Sequence, residues 1–173
     1  LEPLEGVELQ ISYAGEILVK SPSLASGFFQ NGVFVPLSLV DGFFATGDLG
    51  ELHASRLQVF GRKSEQIITG GKKVSPLELD EALQELPGIL DAAAVGLEDP
   101  EWGEVVCAAI IPDPLAAFSE ETAKASLKMN LEGYKIPKRW VALPEIPRTA
   151  SGKVERKKLE TLVKDALEKK NTA

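Results

Sequence analysis

The chain has 173 residues, room for one domain or two small ones, and its 44% hydrophobic and 26% charged residues are the mix of a globular protein. A net charge of -7 argues against a general nucleic-acid surface, which needs a basic stripe to meet phosphates, and no apolar run is long enough to span a bilayer. The single cysteine, Cys107, and single histidine, His53, exclude a disulfide framework and speak against a metal site. The opening Leu1-Glu2-Pro3-Leu4-Glu5 lacks a basic region or signal-like core, and there is no initiator methionine. A cytoplasmic fragment or processed piece is therefore expected.

The first sixty residues read as β. Residues 15–20 form a short apolar run ended by Ser21-Pro22-Ser23. Residues 28–35 read as two strands joined by Asn31-Gly32, the strongest short-range hairpin signal because both turn positions take positive φ. Asp41-Gly42 marks another turn before Phe43-Phe44-Ala45-Thr46. Apolar residues alternate over 49–60, with Ala54-Ser55 as the expected turn. Strands this short and dense predict a piece of a barrel or sandwich, with open edges once separated from the rest of its sheet.

Past Arg62 the pattern changes. Ser75-Pro76-Leu77-Glu78 is a helix start, with serine at the N-cap, proline at the first position and glutamate three residues after the cap. The helix is predicted to run to about Leu86 and stop at Pro87-Gly88, with Leu77, Leu79, Ala82, Leu83 and Leu86 on its apolar face. Residues 89–96 and 105–111 read as buried strands, which makes Cys107 a structural thiol rather than a nucleophile. Ser119-Glu120-Glu121 opens a second helix to about Asn130, residues 140–143 form a further strand, and 157–169 a terminal helix. The fold class predicted is α+β: a β-rich segment over 1–63, then a compact mixed α/β module over 64–173.

Three motifs lie in this frame. They are Thr46-Gly47-Asp48, then Gly61-Arg62-Lys63-Ser64-Glu65-Gln66-Ile67-Ile68-Thr69-Gly70-Gly71-Lys72-Lys73, then Pro147-Arg148-Thr149-Ala150-Ser151-Gly152-Lys153-Val154-Glu155-Arg156. Asp48 offers two acceptor oxygens, enough for neighbouring hydroxyls on one sugar, and suits a turn cap equally well. Arg62 carries a fixed fork of donors fit for a diol or a phosphate. Gly70 and Gly71 let backbone approach a thin ligand closely. Lys153 follows a glycine that frees the turn, so it presents a compact cation to any oxygen whose charge grows during reaction; a solvated loop lysine is the plain alternative.

In this order and spacing the motifs resemble the last third of the adenylate-forming enzymes, the superfamily of acyl- and aryl-CoA ligases, peptide-synthetase adenylation domains and beetle luciferases. The resemblance runs from Gly15 to about Leu159. It implies that 1–63 is the end of a large domain, within its barrel subdomain, and that 64–173 is a mobile C-terminal domain. The hinge would be Ser64, where many relatives carry Asp or Lys. It further implies that Asp48, in its triplet with Thr46, holds the ribose hydroxyls of ATP and of the acyl-adenylate, with Arg62 as a second ribose contact. Lys153 would be catalytic, touching the acid's carboxylate and the α-phosphate. Gly70 and Gly71 would line the passage for the pantetheine arm of CoA, with Lys72 and Lys73 near a CoA phosphate. Trp102, before Gly103-Glu104, also fits a family pattern and is read as packing.

The implied small molecules are a carboxylic acid, ATP, CoA and Mg2+. The family's phosphate-binding loop and its magnesium-positioning Thr-Glu segment do not occur in this sequence, so the Mg2+ ligands are expected upstream and no metal ligand is expected here. The chain by itself should bind ATP poorly and catalyse nothing. The compact Asn31-Gly32-x-x-Val35-Pro36-Leu37 stretch is similar to that of the o-succinylbenzoate–CoA ligases of menaquinone biosynthesis. Other acyl- or aryl-CoA ligases, adenylation domains that load a carrier protein, and a non-catalytic interaction module are the alternatives. A homodimer through open strand edges is a further expectation.

Overall fold

Alternation of apolar and polar residues, broken at glycine-bearing turns, sets out the first part of the chain. The computed structural model describes residues 2–54 and 56–172 and divides between Ser64 and Glu65 into two compact units. In the first unit, β1 (Glu8–Ile11) and β2 (Glu16–Lys20) pair antiparallel, and β3 (Gly27–Gln30) with β4 (Val33–Pro36) forms a separate hairpin. Next come β5 (Leu39–Val40), β6 (Phe43–His53) and β7 (Arg56–Arg62). The larger sheet has the order β1-β2-β6-β5, with β7 also on β6.

Asn31 and Gly32 take φ of 49° and 81°, and Asp41 and Gly42 take 52° and 83°, so both predicted turns form with the left-handed pairs that match strand twist. Ala54 also has positive φ, at 45°, while Ser55 of that expected turn lies outside the described residues. No strand is predicted before Gly15, yet β1 forms there on the alternation Glu8-Leu9-Gln10-Ile11. The buried apolar set among the described residues of this unit is small: Ile17, Phe43 and Leu49. Phe29 and Val40 are each 74% exposed.

The second unit is built on a sheet covered on both faces. Its elements are a 3-10 turn (Lys63–Glu65) at the boundary, β8 (Ile67–Thr69), β9 (Lys72–Val74), α1 (Pro76–Gln84), β10 (Ile89–Asp99), β11 (Gly103–Pro112), α2 (Glu120–Leu127), β12 (Arg139–Ala142) and α3 (Arg156–Thr172). The sheet runs β10-β11-β8-β9, and β12 adds parallel to β11. Side chains of β10 and β11 alternate between two cores. Ala92, Ala94, Val106, Ala108 and Ile110 join Leu79 and Leu83 of α1 and Leu127 of α2. Ala93, Val95, Val105, Cys107 and Ala109 join Leu159 and Val163 of α3. Near-continuous apolar runs are what strands buried on both faces require.

Both predicted helix starts form as read. The Ser75 hydroxyl accepts from the Glu78 amide at 3.3 Å, and the Ser119 hydroxyl from the Thr122 amide at 3.3 Å. Two details differ. Leu77 is 38% exposed, whereas Asp80 takes a place on the buried face of α1. α2 ends at Leu127 and the chain turns over residues 128–130 rather than continuing the helix.

Candidate functional site

In the first unit, Thr46, Asp48 and Arg62 meet across one strand pair. Asp48 of β6 and Arg62 of β7 are register partners, and the Arg62 Nε lies 3.0 Å from Asp48 Oδ1. Arg62 also donates through NH1 to the Thr46 carbonyl at 3.0 Å. The Thr46 hydroxyl donates to the Ile17 carbonyl at 2.9 Å and accepts from the Asp48 amide at 3.0 Å. Thr46 is therefore the fastening of this corner, its hydroxyl both donating to and accepting from backbone groups. Gly47 has φ of 76°, a left-handed conformation that suits glycine, and its amide donates to Glu16 Oε1 at 3.0 Å.

Lys63 in turn holds the other Glu16 oxygen at 3.1 Å, and that contact keeps the Glu16 carboxyl below its ordinary range. Asp48 remains about a third exposed, and its second carboxylate oxygen makes no hydrogen bond among the described residues. An acceptor and a forked donor side by side suit a vicinal diol.

The second unit carries two separate turns. Gly70 and Gly71 (φ 55° and 75°) form a two-residue hairpin between β8 and β9, with Thr69 opposite Lys72. Neither strand is anticipated from the sequence, because three-residue strands leave too short a pattern to read. The Gly70 amide donates to the Trp102 carbonyl at 2.9 Å, and a Cβ on Gly70 would stand 2.9 Å from the Trp102 ring. Trp102 thus packs on the turn as expected, but it stays 40% exposed, and the Lys138 ammonium lies 3.5 Å from its ring centroid. Lys72 and Lys73 are exposed beside it.

Lys153 sits in the other turn, between β12 and α3. Its side chain is exposed and makes no ion pair among the described residues. Its backbone is fixed: the amide donates to Thr149 Oγ1 at 3.2 Å, and its carbonyl accepts from the Thr149 amide at 2.8 Å. The Gly152 amide closes the turn on the Thr149 carbonyl at 2.9 Å, with Gly152 at φ 83°.

Just past the turn, Arg156 enters a mostly buried network. It bonds Asp80 Oδ2 at 2.5 Å, the Ala94 carbonyl at 2.7 Å and Glu65 Oε2 at 3.2 Å. Asp80 also accepts from the Ala94 amide at 2.7 Å. Burial pushes the Asp80 carboxyl above its usual range, and the Arg156 guanidinium offsets part of that. Asp80 was not anticipated, yet it stands four residues after Pro76 and three before Leu83, so helical spacing already put a charge on the apolar face.

The two turns lie at opposite ends of β10. Trp102, under the glycine turn, is capped by Asp99 Oδ1 at the end of β10, whereas Arg148, opening the lysine turn, bonds Asp91 near its start. At about 3.4 Å per residue, the eight residues from Asp91 to Asp99 span roughly 27 Å. Cys107 is buried in the sheet, and burial pushes its thiol up to about 12, which leaves it inert as a nucleophile. Among the described residues no group of three or more acidic, histidine or cysteine side chains is arranged to hold a metal, and no helix is long and apolar enough to cross a membrane.

Residues 78–153 match the AMP-binding enzyme C-terminal domain. A 2-succinylbenzoate–CoA ligase of Listeria monocytogenes serotype 4b (strain F2365) is 39% identical over 154 residues, covering 88% of this chain and 32% of the relative. An indoleacetate–CoA ligase of Aromatoleum aromaticum is 37% identical over 160 residues, covering 92% and 31%. Among solved structures, the o-succinylbenzoate CoA synthetase of Bacillus subtilis, in complex with the acyl-adenylate intermediate OSB-AMP, superposes with a TM-score of 0.82 at 32% identity. That match covers 91% of this chain and 34% of the other. The chain spans about a third of the length of the curated relatives it matches. Over residues 78–153 the chain carries the AMP-binding enzyme C-terminal domain, and over about nine-tenths of its length it is similar to CoA ligases of the adenylate-forming class.

Proposed function

We propose that this chain is the C-terminal third of an AMP-forming acid–CoA ligase, that its acid is o-succinylbenzoate, and that Glu65 onward pivots about Ser64 between two half-reactions. The observation that carries this reading is the placement of the Lys153 turn and the Gly70-Gly71 turn at opposite ends of one strand. A rigid unit so built offers one turn or the other to a fixed nucleotide, and hinges need only a few residues that absorb backbone rotation.

In the first half-reaction the acid's carboxylate attacks the α-phosphorus of ATP, and the bond to pyrophosphate breaks. Both reactants are anionic and repel. Lys153, unpaired in its turn, touches both and offsets that repulsion, while Asp48 and Arg62 hold the ribose. In the second, the CoA thiol, giving up its proton, attacks the acyl carbon and AMP leaves. Gly70 and Gly71 border the pantetheine arm, where a side chain would narrow the passage. Among the described residues no cluster is arranged for Mg2+, and the reading assigns its ligands to the remainder of the enzyme.

The small buried core of the first unit, beside exposed Phe29 and Val40, fits a sheet that the rest of a large domain covers. The choice of o-succinylbenzoate rests on the Asn31-Gly32-x-x-Val35-Pro36-Leu37 hairpin and on the similarity to 2-succinylbenzoate–CoA ligases. Pyrophosphate release by the intact enzyme with ATP, CoA and a panel of acids tests both levels. Preference for o-succinylbenzoate supports the full reading, and preference for another acid keeps the ligase and rejects the substrate. Consumption of a carrier-protein thiol in place of free CoA would reject the CoA ligase.

A further inference from the structure

We propose that Arg148 is a positioning residue for Lys153, a role that rests on the adenylation reading given above. Arg148 opens the turn that Lys153 closes, and the two strands of that turn meet at a bridge between Arg148 and Val154. Its guanidinium spans both sides of the turn. NH2 lies 2.7 Å and Nε 3.3 Å from the two oxygens of Asp91, while NH1 donates to the Gly152 carbonyl at 3.0 Å. The residue immediately before Lys153 is thereby tied through one planar group to the start of β10.

A guanidinium suits this because its donors form a rigid fork, so holding Asp91 fixes where NH1 points. Without it, the Thr149–Gly152–Lys153 backbone bonds still close the turn, but nothing of comparable stiffness sets its direction against the sheet. The far side of the turn is already fixed, since Arg156 is bonded to Asp80 and to the Ala94 carbonyl. With both ends held, the backbone of Lys153 moves with the unit, and its side chain is presented from a fixed point. Arg148 and Asp91 are 32% and 27% exposed in their side chains, so solvent screens part of the pair's attraction, while its bidentate geometry fixes the placement of the turn.

The test uses the intact enzyme and measures the half-reactions separately, with Lys153→Ala alongside. Arg148→Ala should slow pyrophosphate release by about tenfold to a hundredfold, the scale of a misplacement near 1 Å. It should leave KM for ATP and acid unchanged and thioesterification of supplied acyl-adenylate intact. Asp91→Ala should repeat this selective loss, and the double variant should be no slower than either single one. Equal loss of both half-reactions in Arg148→Ala would mark a merely structural role and overturn the proposal. So would unchanged pyrophosphate release in a setting where Lys153→Ala lowers it by about 10²–10³. If Lys153→Ala itself spares adenylation, the adenylation reading fails first, whatever Arg148 does.

Discussion

Asp48 and Arg62 face each other across β6 and β7 as direct register partners, 3.0 Å apart, and each is further fastened by Thr46. With side chains 34% and 52% exposed, the pair contributes little to stability in water, and its value lies in presenting an acceptor and a donor together. Asp48→Ala in the intact enzyme should raise KM for ATP by about 10- to 100-fold, the weight of a charge-assisted hydrogen bond to a hydroxyl pair, roughly 1.5–3 kcal/mol. The melting temperature should stay nearly constant. Steady-state kinetics with a parallel thermal melt check both halves of the statement.

The two glycines of the β8–β9 turn should respond differently. Both have positive φ, so alanine at either costs about 1–2 kcal/mol in backbone strain. At Gly70 the new Cβ would also meet the Trp102 ring at 2.9 Å, whereas at Gly71 nothing lies within 4 Å. Denaturant unfolding should show Gly70→Ala as the more destabilised. In the thioesterification half-reaction Gly70→Ala should also lose more, because displacing Trp102 deforms the turn to which the proposed function assigns the thiol's path.

Asp80 and Arg156 form the mostly buried pair beneath the lysine turn, with side chains 8% and 14% exposed. Asp80→Ala leaves the guanidinium with only the half-exposed Glu65 as ionic partner in a largely dry site, at a cost of about 3 kcal/mol. Denaturant melts of the second unit, read by fluorescence of Trp102 and Trp140, should show that loss. A shift under 1 kcal/mol would mean that water already reaches Arg156.

Glu16 supplies the pH-dependent element of the corner formed by Thr46, Asp48 and Arg62. Its contact with Lys63 depresses the carboxyl below its ordinary 4.5, so the native state binds fewer protons than the unfolded one in that window. The stabilisation is present above 4.5 and disappears as pH falls through the lowered folded value. Protection of the Gly47 amide, which donates to Glu16, against hydrogen exchange should fall over this range relative to the intrinsic rate. In Glu16→Gln the exchange should lose that pH response.

How much of this was legible follows the length of each signal. Asn31-Gly32 and Asp41-Gly42 declared their turns because two successive left-handed positions admit few residues. Ser75-Pro76 and Ser119 declared helix starts through cap chemistry. The three-residue strands β8 and β9 and the four-residue β1 were too short to stand out. The residues marked as chemical were separate letters in the sequence, and tertiary pairing alone brought Asp48 against Arg62 and Arg148 against Asp91. Asp91 and Arg148 lie 57 residues apart, a separation at which nothing local announces a partner.

Lys153→Ala in the intact enzyme, with pyrophosphate release and thioester formation from supplied acyl-adenylate measured in separate assays, is the most direct test of the division of labour between the two turns. Pyrophosphate release should fall by about 10²–10³, the worth of one preorganised charge contact, while thioester formation continues at the unmodified rate. Equal loss in both assays would contradict the assignment of Lys153 to one half-reaction and the Gly70-Gly71 turn to the other.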